Sequence, residues 1–471
     1  MNWPYWMRST ILWNMEPTLP LQRTPNVQKM EKMMQQRDVK QPGSRLYQWL
    51  SGLAKQAWDI HHHCMAIASR GEISYLRKPL NPHIALYDPD LRSRSEAETR
   101  QLYQLEKDNM IKRADWRSQR QRRDMDAPTD EYIQSRYRLC LETRQIPRII
   151  SCRGPDYQAL IDARVIADNV KVVITYKETI KRSELGTLPC IFYIHSGNRY
   201  GGTPYSGLFE RAREWVTLFQ ALVVSVDYRL SPNQSDGSPT GEEPTNDCFD
   251  ALMWTYQHLG KDGDAILKYG DRKKIILFGS SAGGGLAAAT VLKWCHERHE
   301  GSCGTLGDLY GLFLEVPQLD DRCNTPSHDK FKKGNMFTSE DAIQGWTASL
   351  GTRRGTENVN IFEAPARASA ADVKGFPPTF IDVGSAEPFR DEAVDFYNTL
   401  RNADVEVEMK IWQGGFHGFF TAEPNALISR VCNLTKLKWL CRRLEVQDKK
   451  LDDEYEEARD AYEARSREIV L

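Results

Sequence analysis

The chain has 471 residues, of which 40% are hydrophobic, and its formal net charge is −1 at pH 7. This length suits one large domain with extensions, and the near-zero charge excludes a protein held to nucleic acid or to an anionic membrane by its overall charge. The ten cysteines are scattered without a CxxC pair. Such spacing is typical of reduced thiols in an intracellular protein and not of a disulfide framework.

The first part of the chain, residues 1–155, is rich in Met, Gln and Arg and has few strand patterns. It lacks a basic segment followed by an apolar block, which argues against a secretory signal. A capping box at Ser95 and Glu98 predicts a helix that runs toward Arg123. The basic end of this helix, KRADWRSQRQRR, indicates a solvated face, with a nucleic-acid or nuclear-targeting patch as the alternative.

The second part of the chain, from about residue 165, alternates short apolar runs with helical patterns. The runs are bounded by Gly, Pro or polar residues and predict strands over 170–176, 188–194, 221–226, 274–278, 311–316 and 379–383, with helices over 208–220, 247–259, 282–296 and 391–401. Such alternation predicts an α/β fold, with a mostly parallel central sheet and helices on both faces. Residues 405–412 alternate with period two, as expected of a strand nearer the sheet edge.

The longest mostly apolar run, residues 215–226, is too short to span a bilayer. We therefore expect a soluble, cytoplasmic protein without stable membrane insertion. The last segment, residues 441–471, is strongly charged and predicts one amphipathic helix with apolar residues at Leu451, Tyr455, Ala458, Tyr462 and Ile469. This helix is expected to pack on its own domain or, alternatively, to form a homodimer.

The sequence KKIILFGSSAGGGLAAAT contains a G-x-S-x-G motif from Gly279 to Gly283. An apolar strand ends directly before the motif and an alanine-rich helix begins directly after it. A turn of this kind holds a serine in a strained conformation at the carboxyl edge of a sheet. The spacing assigns the nucleophile to Ser281, because the motif requires a glycine two residues before its serine, and the residue two positions before Ser280 is Phe278. The helix N-terminus behind Ser281 offers free amides to a developing anion.

A serine hydroxyl needs a base and a third group that fixes the base. His417 lies in a glycine-rich loop just after a predicted strand, and Glu387 follows the strand that ends at Val383. Asp382 and Asp391 are rival acids, but the first lies inside the strand and the second within the following helix. The order Ser281, Glu387, His417 is that of the α/β-hydrolase arrangement.

The loop FYIHSGNRYGG follows another predicted strand, and His195 begins its stretch of small residues. Such a loop can present backbone N–H groups to an oxyanion, although a plain turn has the same composition. The sequence HHHC at 61–64 suggests metal, but consecutive histidines cannot all face one ion from regular structure. Nothing in the sequence implies a metal or a cofactor.

These motifs resemble those of the hormone-sensitive-lipase-like family of α/β-hydrolase esterases over about residues 156–440. HSGN, DYRLSPN, GSSAGG, EPFRDE and HGF stand where the family has HGGG, DYRLAPE, GDSAGG, DPLRDE and HGF. The resemblance implies that the nucleophile, acid and base are Ser281, Glu387 and His417, that the oxyanion amides belong to Gly197, Asn198 and Ala282, and that His195 supports their loop. It also implies a helical cap over the site, built from part of residues 40–150 and an insert near 320–372.

Three of these motifs depart from the family at residues that bear on the site. HSGN replaces two of three glycines, but the hole uses backbone N–H groups, and Asn is the non-glycine residue that best tolerates positive φ. We expect the Ser196 and Asn198 side chains, which replace these glycines, to face the acyl pocket and so to affect the substrate range. Glu387 is one methylene longer than the usual Asp, and Ser280 replaces an acid, which changes the local charge.

Together these features predict a serine esterase that cleaves a carboxylic ester or lactone of a small molecule through an acyl-enzyme. A catalytically silent receptor or scaffold is the alternative from another class, but all three catalytic candidates are present. Transfer of the acyl group to an alcohol or amine by the same serine is a third possibility. The resemblance further suggests a role in secondary metabolism. The expected organisation is an extension with cap helices (1–155), a catalytic domain (156–440) and a charged C-terminal helix (441–471).

Overall fold

The structure is a computed structural model that describes residues 130–147, 169–233, 236–301, 306–333 and 336–469. The predicted helix between Ser95 and Arg123, the HHHC sequence and the proposed cap residues up to 129 lie outside the described residues. The predicted division into an extension, a catalytic domain and a C-terminal helix stays a prediction.

A single eight-stranded sheet forms the centre of the described fold. In chain order its strands are β1 (Cys140–Pro147), β2 (Asn169–Tyr176), β3 (Leu188–Ile194), β4 (Leu222–Asp227), β5 (Gly270–Ser280), β6 (Gly311–Glu315), β7 (Thr379–Gly384) and β8 (Val407–Trp412). The spatial order is β1-β2-β4-β3-β5-β6-β7-β8, and all pairs from β4 to β8 are parallel. β1 and β2 are antiparallel to their neighbours, so the predicted mostly parallel sheet is confirmed.

Ten helices flank or follow these strands in the described ranges. They are α1 (Asp130–Tyr137), α2 (Leu208–Phe219), α3 (Glu243–His258), α4 (Ala282–Glu300), α5 (Pro326–Lys330), α6 (Ser339–Leu350), α7 (Arg390–Asn402), α8 (Phe419–Ala422), α9 (Leu427–Leu444) and α10 (Lys449–Ile469). Short 3-10 turns lie among them. This is the α/β-hydrolase arrangement of a parallel sheet covered on both faces.

Side chains alternate across the central strands and so form two apolar layers. Phe192 on β3 packs with α3, α4 and α7 on one face of the sheet. Its neighbour Tyr193 packs with α2 and α9 on the other face. Because both faces are covered, the central strands contain continuous apolar runs, which is why the sequence reveals them.

Two elements differ from the sequence-based expectation. β1, with the sequence CLETRQIP, has few apolar residues because it is an edge strand, and no strand was expected there. The charged C-terminal segment is not one helix from residue 441, because α9 continues to Leu444 and Glu445 has a left-handed φ of 56°. α10 then begins at Lys449 and buries Leu451 and Ala458 against the rest of its own domain. The homodimer through this helix stays a prediction.

None of the helices in the described ranges has the length and apolar composition that crossing a bilayer requires.

Candidate active site

The predicted nucleophilic turn is formed between β5 and α4. Ser281 has φ 55° and ψ −119°, a strained conformation for a residue with a side chain. The turn is tight because β5 and α4 nearly touch: a Cβ on Gly279, in β5, would lie 2.2 Å from the carbonyl oxygen of Gly283, in α4. The backbone N–H of Ser281 donates to the Glu315 carbonyl oxygen at 2.8 Å, which fixes the turn against β6.

The structure brings Ser281, His417 and Glu387 together. The Ser281 Oγ lies 3.0 Å from the His417 Nε2, and the His417 Nδ1 lies 2.5 Å from the Glu387 Oε2. These residues follow β5, β8 and β7, whose carboxyl ends meet at one edge of the sheet. Glu387 is fully buried, and its other oxygen accepts from the Gly384 N–H at 2.8 Å.

The two rival acids lie elsewhere. Asp382 is buried within β7 and accepts from the Trp412 Nε1 at 3.0 Å. Asp391 accepts from the Arg390 Nε at 2.6 Å and from the Ser327 N–H at 2.7 Å. Both carboxylates are therefore engaged by other groups, and Glu387 is the acid that contacts His417.

The predicted oxyanion loop follows β3 and bends sharply. Gly197, Asn198 and Arg199 have φ values of 137°, 49° and 67°, so the left-handed conformation expected of Asn198 is observed. Ala282 is the first residue of α4, where backbone N–H groups have no partner within the helix.

His195 lies at the start of this loop, directly after β3. Its ring is buried and stacks on Tyr228 with ring centroids 4.2 Å apart, and the Tyr228 hydroxyl donates to the His195 carbonyl oxygen at 2.8 Å. The DYRLSPN motif therefore holds the oxyanion loop against the sheet.

Comparisons with known proteins agree with this geometry. A family model described as alpha/beta hydrolase fold matches residues 191–421. The 3-O-acetylpapaveroxine carboxylesterase CXE1 of Papaver somniferum is 28% identical over 53% of this chain and 77% of its own. The solved structure of a bacterial heroin esterase is 26% identical, with a TM-score of 0.56 over 77% of this chain and 99% of that chain.

A third similar protein is a brefeldin A esterase, described as a bacterial homologue of human hormone sensitive lipase. Its structure shares the fold with a TM-score of 0.51 and 20% identity, over 68% of this chain and 80% of that chain. Residues 191–421 of this chain therefore form an α/β-hydrolase domain that is similar to those of carboxylesterases and other esterases. The resemblance inferred from the motifs is thereby confirmed.

The residue before Ser281 is a serine in this chain, where the resemblance of the GSSAGG motif implies an acid. Ser280 stands at that position, and its partner in the β5–β6 register is Glu315, which is buried. The Glu315 carboxylate lies 2.5 Å from the Arg211 Nη2 and 2.8 Å from the Lys436 Nζ. Burial raises the pKa of Glu315, but Arg211 and Lys436 outweigh burial and hold this pKa at about 2.

The buried charge cluster of Arg211, Glu315 and Lys436 also contacts β7, the strand that precedes Glu387. The Lys436 Nζ lies 3.4 Å from the Asp382 Oδ2 and 3.3 Å from the centre of the Phe420 ring. The cluster therefore connects the nucleophilic turn, β7 and the helix that follows His417. Sequence reasoning did not find it, because its charged residues lie more than 50 positions apart and each resembles a surface residue.

Replacing Glu315 with glutamine is expected to lower the free energy of unfolding by about 3–5 kcal/mol at pH 7, because Arg211 and Lys436 lose their buried partner. A carboxylate with a lowered pKa stabilises the fold above its unfolded pKa and loses this effect as the pH falls. The difference between wild type and Glu315→Gln should therefore shrink as the pH falls from about 4.5 toward 2. Urea unfolding followed by tryptophan fluorescence measures it.

The matched control for this prediction is Glu340→Gln, because the Glu340 carboxylate is about half exposed and lies 3.5 Å from the exposed Lys333. Such a surface pair contributes at most about 1 kcal/mol. Equal stability of wild type and Glu315→Gln at pH 7 would contradict the prediction.

Aromatic rings enclose the imidazole of His417. The Phe337 and Phe389 ring centroids lie 4.7 and 5.1 Å from the His417 ring centroid. Phe337 belongs to the segment between β6 and β7, so this segment contributes directly to the surroundings of the site. The sequence had placed an insert near residues 320–372, but gave no contact for it.

The described residues contain no group of three His, Cys, Asp or Glu side chains arranged as metal ligands. The HHHC sequence lies outside them.

Proposed function

We propose that this protein is a serine hydrolase that cleaves a carboxylic ester or lactone of a small molecule through an acyl-enzyme. The observation that carries the proposal is the continuous contact from the Ser281 Oγ through His417 to Glu387, at 3.0 and 2.5 Å. Distances of this kind allow proton transfer between nucleophile and base. The esterases to which the chain is similar support the same chemistry.

In the proposed mechanism, Ser281 attacks the ester carbonyl while the His417 Nε2 accepts its proton. Glu387 accepts the hydrogen bond from the Nδ1–H of His417, which fixes the tautomer and stabilises the imidazolium. His417 then gives the proton to the leaving alcohol, and the acyl-enzyme forms. Water attacks the acyl carbon, His417 takes a proton from that water, and the acid leaves Ser281.

The backbone N–H groups of Gly197, Asn198 and Ala282 are proposed to bind the oxyanion of each tetrahedral intermediate. Gly197 and Asn198 lie in a loop with positive φ after β3, and Ala282 directly follows Ser281 as the first residue of α4, which supports this proposal. Loss of one such donor typically costs about 100- to 1,000-fold in rate. His195 is proposed to support this hole without touching the substrate.

We propose that the substrate is a small-molecule ester and that its hydrolysis needs no cofactor. One carboxylesterase similar to this chain is named for an acetylated compound, so acetyl esters are the first class to test. We further propose a cytoplasmic location and a role in secondary metabolism. We propose a homodimer through α10. We also propose domain boundaries near residues 155 and 440. A cap is proposed to form from part of residues 40–150 and the insert near 320–372.

The test is hydrolysis of p-nitrophenyl acetate, butyrate and octanoate, with labelling by a fluorophosphonate probe. Labelling and hydrolysis, fastest for the acetate, would support the proposal. A folded protein that neither labels nor hydrolyses any ester would overturn it in favour of a receptor or scaffold. Product analysis with added alcohols or amines distinguishes acyl transfer from hydrolysis.

A further inference from the structure

The oxyanion loop contains two non-glycine residues in the left-handed region, Asn198 and Arg199. A residue with a side chain pays about 1–2 kcal/mol for this conformation, which persists only when surrounding contacts hold it. In the family's HGGG motif a glycine occupies the position of Asn198 and has no side chain with which to be held. The contacts of these two residues therefore show what fixes the loop in this chain.

The side chain of Asn198 does not face an open acyl pocket, as the sequence had suggested, but is buried against the insert. Its Nδ2 donates to the Asp341 carbonyl oxygen in α6 at 2.7 Å. Its Oδ1 accepts from the Gln318 Nε2, in the segment just after β6, at 3.0 Å. Both polar ends of the Asn198 amide are thus bound by the segment between β6 and β7.

Helix α6 packs directly on this residue at Gly345. A Cβ at Gly345 would lie 2.2 Å from the Asn198 Oδ1 and 2.6 Å from the Asn198 carbonyl oxygen. Glycine in a helix interior is less stable than alanine by about 0.5–1 kcal/mol. Gly345 is therefore explained by its packing, because only glycine allows α6 to approach the oxyanion loop so closely.

Arg199 continues the same contact. It is 2% exposed, and its guanidinium carbon lies 3.6 Å from the centre of the Trp346 ring in α6. Burial lowers the pKa of Arg199 to about 10. In the described part of the chain no carboxylate forms a salt bridge with it.

The carboxylates that act on Arg199 electrostatically are bound elsewhere. Asp321 pairs with Arg367, Glu363 with Arg353 and Glu392 with His328, at N–O distances of 2.7, 2.5 and 2.9 Å. The aromatic face of α6 is therefore the main contact of the buried guanidinium.

We propose that Asn198 and Arg199 anchor the oxyanion loop to α6, so that this helix determines the position of the oxyanion amides. The inference rests on the proposed function and goes beyond it. The two residues act through their side chains as positioning residues, whereas the backbone N–H of Asn198 contacts the oxyanion. Helix α6 thereby holds the oxyanion amides in the position that catalysis requires.

The first test is Gly345→Ala, compared with Gln344→Ala on the exposed side of the same helix. Both variants introduce alanine into α6, but only the first forces the helix away from Asn198. We expect kcat for p-nitrophenyl acetate to fall about 10- to 100-fold in Gly345→Ala, with KM within about threefold, because a shift of about 1 Å in a catalytic group has this effect. Gln344→Ala should match wild type.

The second test is Asn198→Gly, which keeps the backbone N–H and adopts positive φ without strain but loses both side-chain hydrogen bonds. We expect kcat to fall about 10-fold, again with KM nearly unchanged. The double variant with Gly345→Ala should lose less than the product of the two single losses, because both changes weaken one contact. Thermal unfolding confirms that each variant is folded.

An active wild type with unchanged kcat in folded Asn198→Gly would overturn this inference alone. A strictly multiplicative loss in the double variant would also overturn it. A wild type that neither hydrolyses esters nor reacts with a fluorophosphonate would overturn the proposed function and this inference with it.

Discussion

Replacing Ser281 with alanine is expected to abolish ester hydrolysis, with a loss in kcat of about 10⁶-fold, the size seen when a nucleophile is removed from a serine triad. Alanine keeps the Cβ and the backbone of the turn, so only the Oγ that lies 3.0 Å from the His417 Nε2 is lost. Hydrolysis of p-nitrophenyl acetate measures the loss, and a fluorophosphonate probe should no longer label the protein.

The control for this prediction is Ser280→Ala, the neighbouring serine of the same motif. The Ser280 side chain helps to lower the pKa of the buried Glu315, whereas the Oγ that lies 3.0 Å from the His417 Nε2 belongs to Ser281. Its replacement should keep labelling and reduce hydrolysis by a few-fold at most. Full esterase activity of Ser281→Ala would contradict the proposed mechanism. Loss of labelling only in Ser280→Ala would show that Ser280 is the nucleophile.

Replacing Glu387 with glutamine is expected to lower kcat about 10⁴-fold, with little change in the fold. Glutamine has nearly the same shape, but its amide can donate to the His417 Nδ1. This donation favours the tautomer with the proton on Nε2, which cannot accept the proton of Ser281. The Glu387 Oε2 lies 2.5 Å from the His417 Nδ1, so the amide group that replaces the carboxylate would contact this nitrogen directly.

The control is Asp391→Asn, four residues after Glu387 in the first turn of α7. The Asp391 carboxylate binds Arg390 and the Ser327 N–H instead of His417. We expect its kcat to stay within a few-fold of wild type, measured with the same ester at the same pH. Equal losses in Glu387→Gln and Asp391→Asn would indicate a general structural effect and would contradict the assignment of Glu387 as the acid.

The sequence could predict the central sheet and the contact among the three candidate catalytic residues, because the strands and the residues that follow them are local signals along the chain. Buried parallel strands have apolar residues on both faces and so appear as continuous runs, whereas β1 at the edge does not. Ser281, Glu387 and His417 each follow such a strand, and parallel strands bring their carboxyl ends to one edge. The chain order alone was therefore enough to place these three residues near one another.

The C-terminal helix shows the limit of such local signals. Its charge and apolar spacing predicted a helix, but the break at Glu445 depends on one residue with positive φ that no composition rule marks. Whether its apolar residues pack on their own domain depends on what lies beside Leu451 and Ala458, and both are buried in the domain's own apolar clusters.

The sequence by itself predicted the fold and the serine, glutamate and histidine that the structure brings into contact, because strand periodicity and the strand–turn–helix motif are encoded by neighbouring residues. Only the tertiary structure decided which charged residues are buried and what holds the oxyanion loop. Glu315 and Lys436 are 121 positions apart, and Asn198 lies 143 positions from Asp341. Contacts over such separations arise from the packing of whole helices on the sheet, and no local pattern of residues encodes them.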